Sequence, residues 1–319
     1  MALALVFPGQ GSQSVGMLSE LAAAHAIVRR TFEAASSVLD YDLWQLVAAG
    51  PAAQLNKTEC TQPAMLAAGV ATWRLWKELG GAPPAMLAGH SLGEFTALVC
   101  AGALDFAAAV SLVRDRGRFM QAAIPGGGAM AAILGLDDSA AELACAEAAQ
   151  GEVVEAVNYN APGQIVIAGE TRAVERAIVA AKARGAKRAV TLPVSVPAHS
   201  SLLRGAAVQL QQRLAGMAIR APQIAYVSAV DANEHHEPED IRALLVRQLV
   251  SPVRWSATVL ALTARGATMI AECGPGKVLT ALNRRTERRP EIRCLAIEDD
   301  ATLQAALVAA GTAAGSSKE

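Results

Sequence analysis

The sequence has almost no net charge. Its 28 Lys and Arg are balanced by 29 Asp and Glu, leaving −1 at pH 7, so bulk electrostatics gives no reason to expect nucleic acid or a membrane as a partner. An acidic partner must be met by a local basic patch. Cysteine is also sparse. Cys60, Cys100, Cys145, Cys273 and Cys294 are odd in number, scattered and mostly set in apolar runs, which suggests neither a disulfide framework nor a zinc site and fits a reducing cytoplasm. The apolar start, Met1 to Phe7, has no basic segment ahead of it. Pro8-Gly9 stops it far short of a signal-peptide core or membrane span, so a buried first strand is expected instead. There is no internal repeat. The one low-complexity stretch is the tail, where an Ala-rich helix expected from Ala301 gives way to a frayed Gly315-Ser-Ser-Lys-Glu319.

What is present is core. At 319 residues and 53% hydrophobic, the chain can bury a substantial interior. Apolar runs at 2–7, 85–88, 224–228, 268–271 and 292–296 alternate with Ala/Leu-rich helical segments, the pattern of an α/β domain with a parallel sheet. From 125 to 197 the rhythm changes. After Gly126-Gly127-Gly128 the order is strand 129–136, helix 139–149, strand 153–159, strand 164–168, helix 172–184 and strand 188–193, that of a ferredoxin-like unit. The expected organisation is therefore a large α/β domain, 1–124 and 198–319, with a small ferredoxin-like subdomain, 125–197, inserted into it. Ligands often bind in a cleft of that kind.

Gly89-His90-Ser91-Leu92-Gly93 follows an expected strand and precedes a helical run, Glu94 to Ala101, which is the context of a nucleophile elbow and makes the large domain α/β-hydrolase-like. Glycines there permit a sharp turn, and the helix start offers free N–H groups to an oxyanion. The alternative is an ordinary strand-to-helix turn. A serine hydroxyl needs a base, and only five histidines exist. His25 is expected in a surface helix and His90 is locked in the elbow. His235-His236 lie in a polar stretch, Asp231 to Pro238, better taken as a solvated loop than as a metal cluster, because adjacent residues rarely point at one ion. His199 falls where the chain returns from the small subdomain to the large one, and there it can line the cleft. A structural histidine at the seam is the alternative.

A helix is expected over 105–121, capped by Asp105. On it, the i±3 and i±4 neighbours of Arg116 are Leu112, Val113, Phe119 and Met120, so its guanidinium rises from an apolar face. Arg114 and Arg118 fall on the polar side instead. A buried unpaired charge costs several kcal/mol, roughly. Arg116 therefore needs a partner, either an internal ion pair or an anionic substrate gripped by its planar fork.

With these residues located, the chain resembles the malonyl-CoA:acyl carrier protein transacylases and the related acyltransferase domains of polyketide synthases. The likeness runs from Phe7-Pro-Gly-Gln-Gly-Ser-Gln13 through Thr61-Gln-Pro-Ala64, Gly89-His-Ser-Leu-Gly-Glu94, Arg116-Gly117, Val157-Asn-Tyr-Asn160, Pro193-Val-Ser-Val-Pro-Ala-His199 and Gln248 to Gly274-Pro-Gly-Lys277. The resemblance implies that Ser91 carries a malonyl group, His199 activates it, and Arg116 holds the free carboxylate. It implies an oxyanion hole from the N–H groups of Gln10 and Leu92, and a His oriented by the backbone carbonyl of Gln248 rather than by an acid. Gln62 and Asn158 match cleft-lining positions. Malonyl-CoA and acyl carrier protein would be the partners of a cytoplasmic monomer with no metal and no cofactor of its own. Val196-Pro-Ala-His199 looks like the stand-alone malonyl enzymes, although Ala198 is commonly Ser.

Docking of an acidic carrier would fall to Arg184, Lys187, Arg188, Arg284, Arg285, Arg288 and Arg289. Three other readings stay open: a serine hydrolase or thioesterase, a non-catalytic scaffold for a carrier protein, and the acyltransferase subunit of a malonate-processing complex. A dinucleotide fold is disfavoured because Ser14 stands where Gly9-Gln-Gly11 would need its third glycine.

Overall fold

The computed structural model describes residues 2–194 and 196–311. Among them the strands are β1 (Ala2–Phe7), β2 (Met86–Gly89), β3 (Ala129–Leu134), β4 (Val154–Ala161), β5 (Gln164–Gly169), β6 (Arg188–Thr191), β7 (Ala225–Val227), β8 (Glu234–His235), β9 (Ala267–Cys273) and β10 (Arg293–Ile297). One sheet has the order β10-β9-β1-β2-β7-β8 and the other β4-β5-β3-β6. The first is parallel apart from β8, which runs antiparallel to β7. The second is antiparallel, with helices Asp138–Ala149 and Thr171–Ala183 in the expected strand-helix-strand-strand-helix-strand order.

The continuous apolar run of β1 is what a central parallel strand requires, since both of its faces are covered. Leu3, Leu5 and Phe7 point into one core with the helices, while Ala4 and Val6 enter another with Val227, Trp255 and Leu279. A third cluster, rich in alanine, lies between the antiparallel sheet and its two helices. Backbone bonds tie β4 to the segment at Val253: Tyr159 N–H donates to Val253 C=O at 2.9 Å, and Val253 N–H to Val157 C=O at 2.9 Å. No helix is long and apolar enough to cross a membrane, among the described residues.

Because Phe7 of β1 stands in register with Gly89 of β2, the loops after both strands leave the same edge of the sheet side by side. Ligands of open parallel sheets collect at that edge.

Two local expectations need correction. The stretch taken for a solvated loop contains β8, in which His235 pairs with Tyr226 and its ring sits 3.1 Å from Asp231. A strand of two residues is too short to show a period of two. His25 is not inside a helix but joins two, Ser19–Ala24 and Ala26–Ser36, in an extended conformation. The expected frayed tail, 315–319, lies outside the described residues. The helix before it, Asp300–Ala309, starts with a capping box between Asp299 and Thr302.

Candidate active site

Ser91 sits between β2 and the helix Gly93–Cys100 with φ +51°. That left-handed conformation is strained for a residue with a Cβ, and the surrounding structure must enforce it. The flanking glycines do so by allowing close approach. A Cβ on Gly89 would lie 1.9 Å from Gly93 C, and one on Gly93 would lie 2.0 Å from Phe7 O. The helix start is thereby pressed against β1, with His90 N–H bonded to Phe7 C=O at 3.0 Å.

His199 also has a positive φ, +67°, and is buried. Its Nε2 is 2.8 Å from Ser91 Oγ, and its Nδ1 is 2.8 Å from the backbone O of Gln248. A carbonyl can only accept, so the ring proton belongs on Nδ1 and the bare Nε2 faces the serine hydroxyl. Burial and the nearby Arg116 charge lower the His199 pKa to about 3, so the ring is neutral at ordinary pH.

Arg116 projects from the helix Phe106–Ala122 and is 1% exposed. Nη1 donates to Gln62 Oε1 at 2.9 Å, and Nη2 donates to Gln248 Oε1 at 2.9 Å. Nη2 also lies 3.4 Å from Ser91 Oγ. Nε has no hydrogen-bond partner among the described residues. Burial lowers its pKa to about 10, opposed by the charge of Glu94, and the group stays cationic. Its acceptors are neutral amides, which leaves the charge available to an incoming anion. Gly117 makes this possible: a Cβ there would stand 2.7 Å from Glu59 Cα. The helix Thr58–Glu78 therefore packs close enough for Gln62 to reach Arg116.

A cleft of about 710 Å³ opens over these groups. Its walls include Gln10, Leu92, Asn158 and Met130, with Ser91, Arg116 and His199 at its base. Among the described hydrogen bonds, neither the Gln10 nor the Leu92 N–H donates to a protein acceptor. Both are free for an oxygen anion in the cleft.

Gln62 and Gln248 do not line it. Gln62 was expected to, but it is 1% exposed behind Arg116, where its amide nitrogen meets Met120 Sδ at 3.3 Å.

Sequence reasoning missed Glu94. It is buried among Phe95, Ala97 and Leu98, and it accepts hydrogen bonds from Tyr226 Oη and Ser228 Oγ, each at 2.8 Å, from Ala229 N–H at 2.7 Å, and from Gln248 Nε2. The signal was present: a lone carboxylate in an otherwise apolar helix, the same signal that singled out Arg116. His90 was similarly left without a partner, and its Nε2 lies 2.8 Å from Asn160 Oδ1 on β4. Of the basic candidates for docking, Arg184 pairs with Glu147 and Arg289 with Glu287. Arg284 donates to Cys294 C=O, Arg285 to Pro162 C=O and Arg288 to Arg285 C=O, and all seven basic candidates are exposed.

Residues 4–310 match the acyl transferase domain family. The malonyl CoA-acyl carrier protein transacylase of Escherichia coli is 53% identical over 283 residues, 88% of this chain and 92% of the relative. The Bacillus subtilis protein of the same name is 43% identical over 307 residues, 96% of each. A malonyl-transacylase solved with a type II polyketide acyl-carrier protein is 52% identical with a TM-score of 0.95, covering 97% of this chain and 100% of that one. An acyl carrier protein S-malonyltransferase from Vibrio cholerae is 54% identical, with a TM-score of 0.92 and coverage of 96% and 99%.

Proposed function

The chain belongs to the malonyl-CoA:acyl carrier protein transacylases of the acyl transferase domain family, and on that premise we propose that Ser91 carries malonyl from coenzyme A to the carrier-protein thiol. The enzyme is an acyltransferase that supplies malonyl units for fatty-acid or polyketide elongation. The observation that carries the residue assignment is the placing of a buried cation, Arg116, 3.4 Å from a hydroxyl that is itself 2.8 Å from an imidazole nitrogen.

Ser91 Oγ attacks the thioester carbonyl as its proton passes to His199 Nε2. The carbonyl oxygen, now an anion, takes the N–H groups of Gln10 and Leu92. Collapse breaks the C–S bond, and the imidazolium returns its proton to the departing thiolate of coenzyme A. In the second half the carrier thiol gives its proton to His199 and attacks the malonyl ester; the C–O bond to Ser91 breaks, and the imidazolium returns the proton to Ser91 Oγ. Arg116 grips the distal carboxylate through both halves, which selects malonyl over acetyl. Asn158 contacts the bound acyl chain, and Gln62 holds Arg116 from behind.

Within this reading, 1–124 and 198–319 form an α/β-hydrolase-like domain and 125–197 a ferredoxin-like subdomain. The enzyme works as a cytoplasmic monomer without metal or cofactor, coenzyme A being part of the substrate. Intact-mass measurement after mixing with malonyl-CoA tests the reading. A malonyl adduct on Ser91, absent from Ser91→Ala and discharged by holo acyl carrier protein, is the expected result. Prompt loss of the adduct to water without carrier would favour a hydrolase, and an adduct on Ser91→Ala would remove the assignment.

A further inference from the structure

The buried acid next to the nucleophile takes no part in the steps above. Glu94 is 1% exposed in the first turn of the helix Gly93–Cys100, and its two oxygens are used differently. Oε1 accepts from Tyr226, Ser228 and the Ala229 N–H, all on β7 or just beyond it. Oε2 accepts from Gln248 Nε2. Gln248 is in turn the hub of the site. Its Nε2 also donates to Ser91 C=O at 3.0 Å, its Oε1 accepts from Arg116 at 2.9 Å, and its backbone oxygen holds His199 at 2.8 Å.

A primary amide has one accepting end and one donating end. Arg116 can only donate, so Gln248 must offer it the oxygen. Burial raises the Glu94 pKa, opposed by the hydrogen bonds it receives from Gln248, Ser228, Tyr226 and Ala229. Both of its oxygens are met by donors, so it accepts as a carboxylate and the NH₂ end of Gln248 must face it. The reverse orientation would set donor against donor at Arg116 and acceptor against acceptor at Glu94.

We propose that Glu94 is a positioning residue for acyl selection: it fixes which way the Gln248 amide faces, and so holds Arg116 in place for the substrate carboxylate. The inference rests on the acyl-transfer reading above, in which Arg116 is the carboxylate clamp. Glu94 touches no reacting atom; it acts through Gln248 and through its charge, which offsets the cost of burying the guanidinium.

Glu94→Gln isolates the contact. The substituted side chain keeps an oxygen for Tyr226, Ser228 and Ala229, but it presents NH₂ to the NH₂ of Gln248. Turning Gln248 over relieves that clash only by presenting NH₂ to Arg116. The test is single-turnover acylation of Ser91, followed by intact mass with malonyl-CoA and with acetyl-CoA. The ratio of the two specificity constants should fall at least fivefold, with acetyl acylation changed less than threefold. A ratio within fivefold of wild type, or equal losses with both thioesters, overturns the proposal.

Gln248→Met keeps the backbone oxygen that holds His199 but removes the amide through which Glu94 acts. Its ratio should also fall at least fivefold. If Glu94→Gln does not fold, this variant decides alone, and a ratio within fivefold of wild type overturns the proposal. Wild-type protein that fails to acylate Ser91 would instead remove the acyl-transfer reading, and this inference with it.

Discussion

Arg116 Nη2 lies 3.4 Å from Ser91 Oγ, so a buried guanidinium and the hydroxyl that faces the His199 ring share one small volume. The same cation bears on His199, whose affinity for a proton it reduces. In the proposed reaction, substrate selection and base strength are therefore linked.

The linkage fixes a pH dependence. Protonated His199 cannot take the serine proton, so activity is lost as pH falls through its pKa. Burial and Arg116 both disfavour the imidazolium and lower that pKa to about 3. The acid limb of kcat/KM for acetyl-CoA should thus lie well below the ~6.5 of an ordinary histidine. In Arg116→Ala the like charge is gone and the limb should move up. A limb that stays put or moves down would contradict the coupling. His199→Ala should slow acylation roughly 10²–10⁴-fold.

Arg116 should set acyl choice. Arg116→Ala removes the bidentate contact and should cost malonyl transfer about 3–5 kcal/mol, while acetyl transfer is unchanged or improved. Arg116→Lys should rescue only in part, because a point charge does not reproduce the fork. The specificity constants for malonyl-CoA and acetyl-CoA across the three proteins provide the measurement. Parallel loss of both activities would make Arg116 a structural ion.

Two glycine substitutions should have opposite signs. A Cβ at Gly93 would meet Phe7 O at 2.0 Å, whereas one at Gly205, in the helix Arg204–Ala215, meets nothing within 4 Å. Gly93→Ala should destabilise by about 1–3 kcal/mol or more. Gly205→Ala should stabilise by about 0.4–1 kcal/mol. Denaturant midpoints for both variants, with activity measured alongside, check this. A neutral Gly93→Ala would mean that the elbow is not held by close packing.

Carrier docking should depend on salt. Lys187, Arg188 and Arg288 are exposed, and acyl carrier proteins are acidic. Raising ionic strength should therefore increase KM for carrier protein more than KM for malonyl-CoA. Replacing the three by Ala should flatten that slope. Equal salt sensitivity for both substrates would leave this patch without a role.

Much of the frame was legible because it rests on periodicity. The run at 2–7 is β1 residue for residue, and the expected strands at 85–88 and 292–296 differ from β2 and β10 by one position. Arg116 was found by asking which charge an apolar helix face could not afford. The same question put to Glu94 would have found it, but an acid in the first turn of a helix has an ordinary explanation in the helix dipole, and that explanation hid it. Gln62 and the Gln248 side chain are neutral and polar, so their burial carries no signal until the helices that carry them are placed. The two-residue β8 leaves no pattern. Nor does the stitch between Val253 and β4, which is made entirely of backbone.

The acceptor that orients His199 is the main-chain oxygen of Gln248. Every amino acid carries that oxygen, so no missense substitution can delete it; only a shift of the chain can. An enzyme whose base is steered by a side-chain acid can lose that acid through one missense substitution, whereas here that route to inactivation is closed. The vulnerability passes to whatever fixes the path of the chain around residue 248, and a survey of inactivating mutations should find its hits there, in the packing, rather than at the hydrogen bond.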